Sequence, residues 1–151
     1  MTEGCRVASL VDTNILVYCY DPTDSRKRSI ARDLLRQGAA ADVLRIPHQA
    51  MVEFVNAVTR QRKAGPFLSQ EEAWRQAEDF LNEFQILYPN EKVFRTAMLG
   101  MAAYRLPWYD AHLWAYAEHY ELPELLSEDF EHGRRYGTVR VRNPFLAVGA
   151  A

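Results

Sequence analysis

Short apolar runs alternate along the chain with longer stretches whose apolar residues recur at helical spacing. Val7 to Val11 is the first such run, and it stops at Asp12. A short helical piece over Ile15 to Tyr20 is broken by Asp21-Pro22. A helix is predicted from Ser25 to Gly38, with Ile30, Ala31, Leu34 and Leu35 as its apolar stripe. Val43 to Ile46 reads as a second strand, and Pro47 opens a helix to about Lys63 that buries Met51, Phe54, Val55 and Val58. Ser69-Gln70-Glu71-Glu72 is a capping box opening a helix to about Asn82. Phe84 to Leu87 is a third strand, and Asn90 caps a helix whose stripe is Val93, Ala97, Met98 and Met101. After Pro107, Asp110 takes the N-cap place of a helix to about Tyr120. Leu125 to Ser127 is a fourth strand and Thr138 to Val141 a fifth. Strands alternating with helices predict a three-layer α/β/α domain around a parallel sheet of four to five strands.

The 151 residues suit one domain, with its core at about 7–145 and a short C-terminal tail. A chain this long buries enough surface to fold without disulfides. Cys5 and Cys19 have no metal-ligand spacing and read as reduced thiols of a cytoplasmic protein. Neither a signal peptide nor a membrane span is predicted. The net charge of −2 argues against a protein that wraps DNA tightly, because phosphate affinity comes mainly from lysine and arginine. Basic residues nevertheless cluster at Arg26-Lys27-Arg28 with Arg32, at Arg60, Arg62 and Lys63, and at Arg134-Arg135 with Arg140 and Arg142. A solvated face explains any one of these clusters equally well.

Four acids change the picture. Asp12 and Asp129 follow predicted strands, and in open α/β sheets ligands bind beyond the carboxyl ends of the strands. Glu53 interrupts the apolar run Met51-Val52-Glu53-Phe54-Val55, and a carboxylate on a buried face wants a partner. Taken singly, Asp12 is a turn residue, Asp110 a helix cap and Asp129 a surface acid. Together at one sheet edge they would repel one another, so either their pKa values rise or a cation neutralises them. An all-oxygen set suits magnesium or manganese better than zinc.

The segments Val11-Asp12-Thr13-Asn14, Gln49-Ala50-Met51-Val52-Glu53-Phe54, Tyr109-Asp110-Ala111 and Leu126-Ser127-Glu128-Asp129-Phe130 resemble, in order and spacing, the PIN-domain family, which includes the VapC toxins of toxin–antitoxin pairs. The resemblance runs from Val7 to Phe145. The run Ser127 to Gly133 and the later Asn143-Pro144-Phe145 are similar to a bacterial subgroup known mainly as predicted nucleic-acid-binding proteins. It implies an endoribonuclease dependent on Mg²⁺, with Mn²⁺ as substitute, leaving a 5′-phosphate and a 3′-hydroxyl. Asp12, Glu53, Asp110 and Asp129 are then the catalytic and metal-binding acids, Asp129 matching the more variable fourth position. Thr13 and Asn14 match residues that shape the first turn, and Ser127 matches a hydroxyl that supports the first aspartate. Asn14, Asn56, Arg60 and Ser127 are the expected substrate-binding residues, Asn56 and Arg60 because helical spacing puts them on the face of Glu53. RNA, an antitoxin protein and a second copy of the chain are the expected partners, the apolar stripe of the early helices serving the homodimer.

Two rivals follow from the same residues. A dehalogenase-like phosphatase also starts with a strand ending in aspartate, but it needs a second aspartate where Asn14 stands; a receiver domain needs paired early acids and a late lysine. The other rival keeps the PIN fold as an inert RNA- or protein-binding module. His112 and His119, two turns apart on one helix, lack the spacing and company of a zinc site. His48 reads as structural, and His132 lies near the fourth acid. Trp74, Trp108, Tyr109 and Trp114 read as core or contact residues rather than base-stacking ones.

Overall fold

A computed structural model describes residues 7–146. Its elements in chain order are β1 (Ser9–Val11), α1 (Thr13–Tyr18), α2 (Ser25–Ala41), β2 (Leu44–Pro47), α3 (His48–Thr59), α4 (Gln70–Glu83), β3 (Gln85–Leu87), α5 (Glu91–Tyr104), α6 (Trp108–His119), β4 (Glu124–Leu126), β5 (Arg135–Tyr136) and β6 (Val139–Arg142). Cys5 lies outside the described residues. The strands form one six-stranded sheet in the order β3-β2-β1-β4-β6-β5. Every pairing is parallel except that of β5 with β6. The extra edge strand has only two residues, too few to show alternation in the sequence, and it pairs through a turn at Gly137, whose φ is 62°.

Successive strand residues point to opposite faces, and along the central strands β1 and β4 both faces are covered, whereas β6 exposes Arg140 and Arg142. Val11, Leu44, Ile46 and Leu126 enter a core with α1 to α4, centred on Phe54 and Phe80. Leu10, Leu125, Val139 and Val141 enter a second core under α5 and α6, with Trp114 and Val93. The three-layer expectation holds.

Element ends differ from the sequence reading in instructive ways. α2 continues past Gly38 to Ala41 and is capped by Asp42 in the left-handed conformation, at φ 54°. Gly38 therefore sits inside the helix, where its missing side chain lets α2 approach β2: a Cβ there would lie 2.2 Å from Leu44 Cδ1. α3 stops at Thr59, and residues 60–69 form a loop whose Leu68 N–H returns to the Val58 carbonyl at 2.9 Å. α4 carries the capping box, Ser69 and Glu72 bonding reciprocally. On α5 the buried stripe is Val93, Ala97 and Gly100, while Met98 and Met101 are exposed. The tight seam selects glycine over methionine. A Cβ on Gly100 would meet Trp114 Cζ3 at 2.6 Å, and the indole cannot retreat because its Nε1 donates to the Tyr136 carbonyl at 2.9 Å. Gly100→Ala should therefore destabilise by about 1–2 kcal/mol, overpacking outweighing the roughly 1 kcal/mol gained in helix propensity. A denaturant midpoint equal to or above wild type would refute that packing argument.

Candidate active site

The strand order reverses across β1, with β2 to one side and β4 to the other, so a crevice opens beyond their carboxyl ends. Asp12 is the residue directly after β1. Its N–H donates to the Leu126 carbonyl at 3.0 Å, and its side chain caps α1 by accepting from Thr13 N at 2.6 Å. Ser127, directly after β4, is fully buried and donates from Oγ to Asp12 Oδ2 at 2.5 Å. The same Oγ accepts the Asp129 N–H at 3.0 Å, so one hydroxyl ties the ends of two strands together.

Asp129 reaches this centre from the loop after β4. Asn14 Nδ2 donates to Asp129 Oδ2 at 3.0 Å and points at Asp12 Oδ2 at 3.4 Å. Glu53, on the second turn of α3, accepts from Thr13 Oγ1 at 2.6 Å and from Gln49 Nε2 at 3.1 Å. Asp110 is not an N-cap. Pro107 takes that place, its extended backbone leading into α6, and Asp110 falls in the first turn, where a carboxylate suits the positive end of the helix dipole. Gln49 Nε2 also reaches the Tyr109 carbonyl at 3.2 Å, which stitches the start of α6 to α3.

Electrostatics give this arrangement its character. Burial pushes the Asp12 carboxyl up to about 7; the Ser127 hydroxyl and the Thr13 N–H pull it down, while Asp129 and Asp110 push it further up. Asp110 is raised as well, first by burial and then by Asp129 and Glu53. Asp129 thus bears on both Asp12 and Asp110, and Glu53 on Asp110. Among the described residues, no three acid, histidine or cysteine side chains are oriented closely enough to grip one ion directly. The donor set nevertheless fits a hard divalent cation. Its atoms are all oxygens, among the described residues none of the four acids has a base within ion-pair distance, and Asn14 Oδ1 is a buried acceptor with no hydrogen-bond partner among them.

Asn56 is exposed on α3 and does not line the groove beside the acids, whereas Arg60 does. The histidines stand apart. His112 is walled by Phe94 and Trp108, His119 meets Asn90 Nδ2 at 3.2 Å, His48 packs on Tyr88, and His132 Nδ1 accepts the Asn143 N–H at 3.0 Å. The first basic cluster is structural. Arg26, Arg28 and Arg32 donate to the carbonyls of Phe145, Asp21 and Cys19, and Lys27 pairs with Glu128 at 2.7 Å. The clamp from Gln49 to Glu53 escaped the sequence reading, although its spacing of four residues on a helix was the available signal.

Comparison with known proteins identifies the fold. The PIN domain family model matches residues 9–137. The chain belongs to the PIN-domain family. Solved structures share the PIN fold at low identity. A toxin–antitoxin complex from Klebsiella pneumoniae matches at 19% identity and TM-score 0.66, covering 91% of this chain and 98% of that one. VapBC2 from Rickettsia felis, bound to a DNA fragment from its promoter, matches at 15% identity and TM-score 0.66, covering 90% and 98%. VapC20 from Mycobacterium tuberculosis, described as a toxin that cleaves the sarcin–ricin loop, matches at 13% identity and TM-score 0.60, covering 78% and 87%. No curated protein matches the sequence. No helix among the described residues of this PIN domain is long and apolar enough to cross a membrane.

Proposed function

We propose that this PIN domain is a divalent-metal-dependent endoribonuclease of the VapC type, the toxin half of a toxin–antitoxin pair, with Mg²⁺ as its ion and Mn²⁺ as a substitute. The observation that carries the reading is a buried aspartate, Asp12, held near neutrality by burial and by the charges of Asp129 and Asp110, beside the unpartnered Asn14 Oδ1. Asp12, Glu53, Asp110 and Asp129 would hold the ion. A divalent ion so bound stabilises charge developing on a phosphate and lowers the pKa of an attacking water. The chain's own part is orientation. Ser127 fixes the rotation of Asp12, Thr13 and Gln49 fix Glu53, and the Asn14 amide draws Asp129 inward. Hydrolysis then joins the water oxygen to phosphorus and breaks the bond to the 3′-oxygen, leaving a 5′-phosphate and a 3′-hydroxyl.

The sarcin–ricin-loop activity described for VapC20 supports RNA as the substrate, and the complexes from Klebsiella and Rickettsia support an antitoxin partner. A homodimer is supported by the exposed apolar side of α5, Phe94, Met98, Leu99 and Met101. The stripe of the early helices is packed into the core instead, Ala31 and Leu35 being buried.

An inert PIN-fold module that binds RNA or protein is the second reading, favoured by the dispersed orientation of the acids. A titration separates the two. Single-stranded RNA incubated with the protein should be cut in millimolar Mg²⁺ or Mn²⁺ and left whole in excess chelator. RNA that is bound yet stays intact at every metal concentration would establish the inert module.

A further inference from the structure

An open groove of about 440 Å³ leads away from the acids between α1 and the loop after α3. Asp129 and Asn14 line it together with Arg60, Arg62 and Phe67. That volume suits a group of nucleotide size. The Arg62 guanidinium lies 3.8 Å from the centre of the Phe67 ring, and its Nη1 donates to the Arg60 carbonyl at 3.1 Å. The head group is therefore set in place before any ligand arrives. Among the described residues neither Arg60 nor Arg62 has a carboxylate within ion-pair distance, in a chain that is acidic overall. Asp21, on the groove wall, is turned to Thr23, whose N–H and hydroxyl both donate to Asp21 Oδ1. The groove thus joins acids and two guanidinium groups that have no carboxylate partner among the described residues.

We infer that this groove is a subsite for one unpaired nucleotide adjoining the scissile phosphate, Arg60 taking its phosphate and Arg62, seated on Phe67, stacking on its base. The inference rests on the ribonuclease reading and deepens it. A guanidinium plane backed by an aromatic ring stacks on any base that is free of its own helix, so the subsite selects single-stranded or splayed-out RNA. The phosphate contact carries no sequence information and sets register along the strand.

The test uses the full chain carrying Asp12→Asn, so that binding is read without cleavage, and a labelled single-stranded RNA hexamer in Mg²⁺. Arg62→Ala should weaken binding about tenfold, in the range expected for one stacked base. Arg62→Lys should not restore it, because an ammonium has no planar face. Removing the base at one position of the hexamer should cost the Asp12→Asn parent a similar factor and cost Arg62→Ala almost nothing. Arg60→Ala should lower the slope of log affinity against log salt by about 0.7, the signature of one lost phosphate contact on a single strand. Unchanged affinity and salt slope in both arginine variants, in a protein whose wild type cuts RNA, would overturn the subsite alone. A wild-type protein that neither binds nor cuts RNA in Mg²⁺ would remove the ribonuclease reading and the subsite with it.

Discussion

Asp12→Asn is expected to reduce RNA cleavage about 10³-fold and yet raise the melting temperature of the metal-free protein above neutral pH. The activity loss corresponds to roughly 4 kcal/mol of transition-state stabilisation, as expected when a charged group that organises the site is neutralised. The stability gain follows from the same charge. Asp12 ionises near 7 in the folded protein and near 3.8 when free of it, so the native state holds its proton more tightly than the unfolded chain does. Metal-free wild type therefore loses stability as pH rises from about 4 to about 7, by at most about 4 kcal/mol, and regains none above that. An asparagine avoids the loss: its oxygen still accepts from Thr13, and its amide can donate to the Ser127 hydroxyl. The variant should melt above wild type at about pH 8 in chelator, and the gap should vanish at about pH 4. Mg²⁺ should raise the wild-type melting temperature more than that of the variant, since an ion that binds only the native state stabilises it by mass action. Asp110→Asn should behave alike with a smaller stability gain, Asp110 being only half-buried. Asp129→Ala should cost less activity than either. A fully active Asp12→Asn protein would show that the ion, if any, is held elsewhere.

Phe54→Ala is expected to have the opposite profile, a large loss of stability with chemistry intact. Phe54 is fully buried one residue after Glu53, on the core side of α3. Its ring meets Phe80 edge-on at 5.2 Å and Tyr20 at 5.7 Å, so it joins α3 to α4 and to the residues following α1. Removing it forfeits the transfer energy of a large ring and leaves a cavity that three helices border, a cost of about 3–5 kcal/mol. For a chain of this size that is a drop of roughly 10 °C in melting temperature. Well below the new midpoint, cleavage should stay within a few-fold of wild type, because Glu53 remains held by Thr13 and Gln49. Loss of less than about 1 kcal/mol would mean that α4 closes over the gap, and the account of this core would need revision.

Read together, the two variants separate what the acids do from what the cores do. Asp12 is an unfavourable group for the fold, kept at a strand end where its partners are a hydroxyl, an N–H and other carboxylates. Phe54 serves the fold, its ring packed against Phe80 and Tyr20. Sites that work against stability in this way are where perturbed carboxyls gather in enzymes.

The sequence by itself determined the layers, because short apolar cores such as Leu10-Val11 and Leu125-Leu126, alternating with amphipathic helices, need cover on both faces of the sheet. It also determined that Asp12 follows a strand end and that Glu53 rides an apolar helix, since periodicity and proline fix those positions locally; it placed Ser127 as the last residue of the fourth strand, which in the structure ends at Leu126. Tertiary structure alone decided how the four acids meet. Asp12 and Ser127 are 115 positions apart in the chain, and only the parallel pairing of β1 with β4 brings their side chains to 2.5 Å. It likewise decided that Asp110 stands inside the first turn of α6, that glycine rather than methionine seals α5 against Trp114, and that Arg62 comes to rest on Phe67 at the rim of the groove. Such contacts depend on distances between elements, which no local pattern of residues encodes.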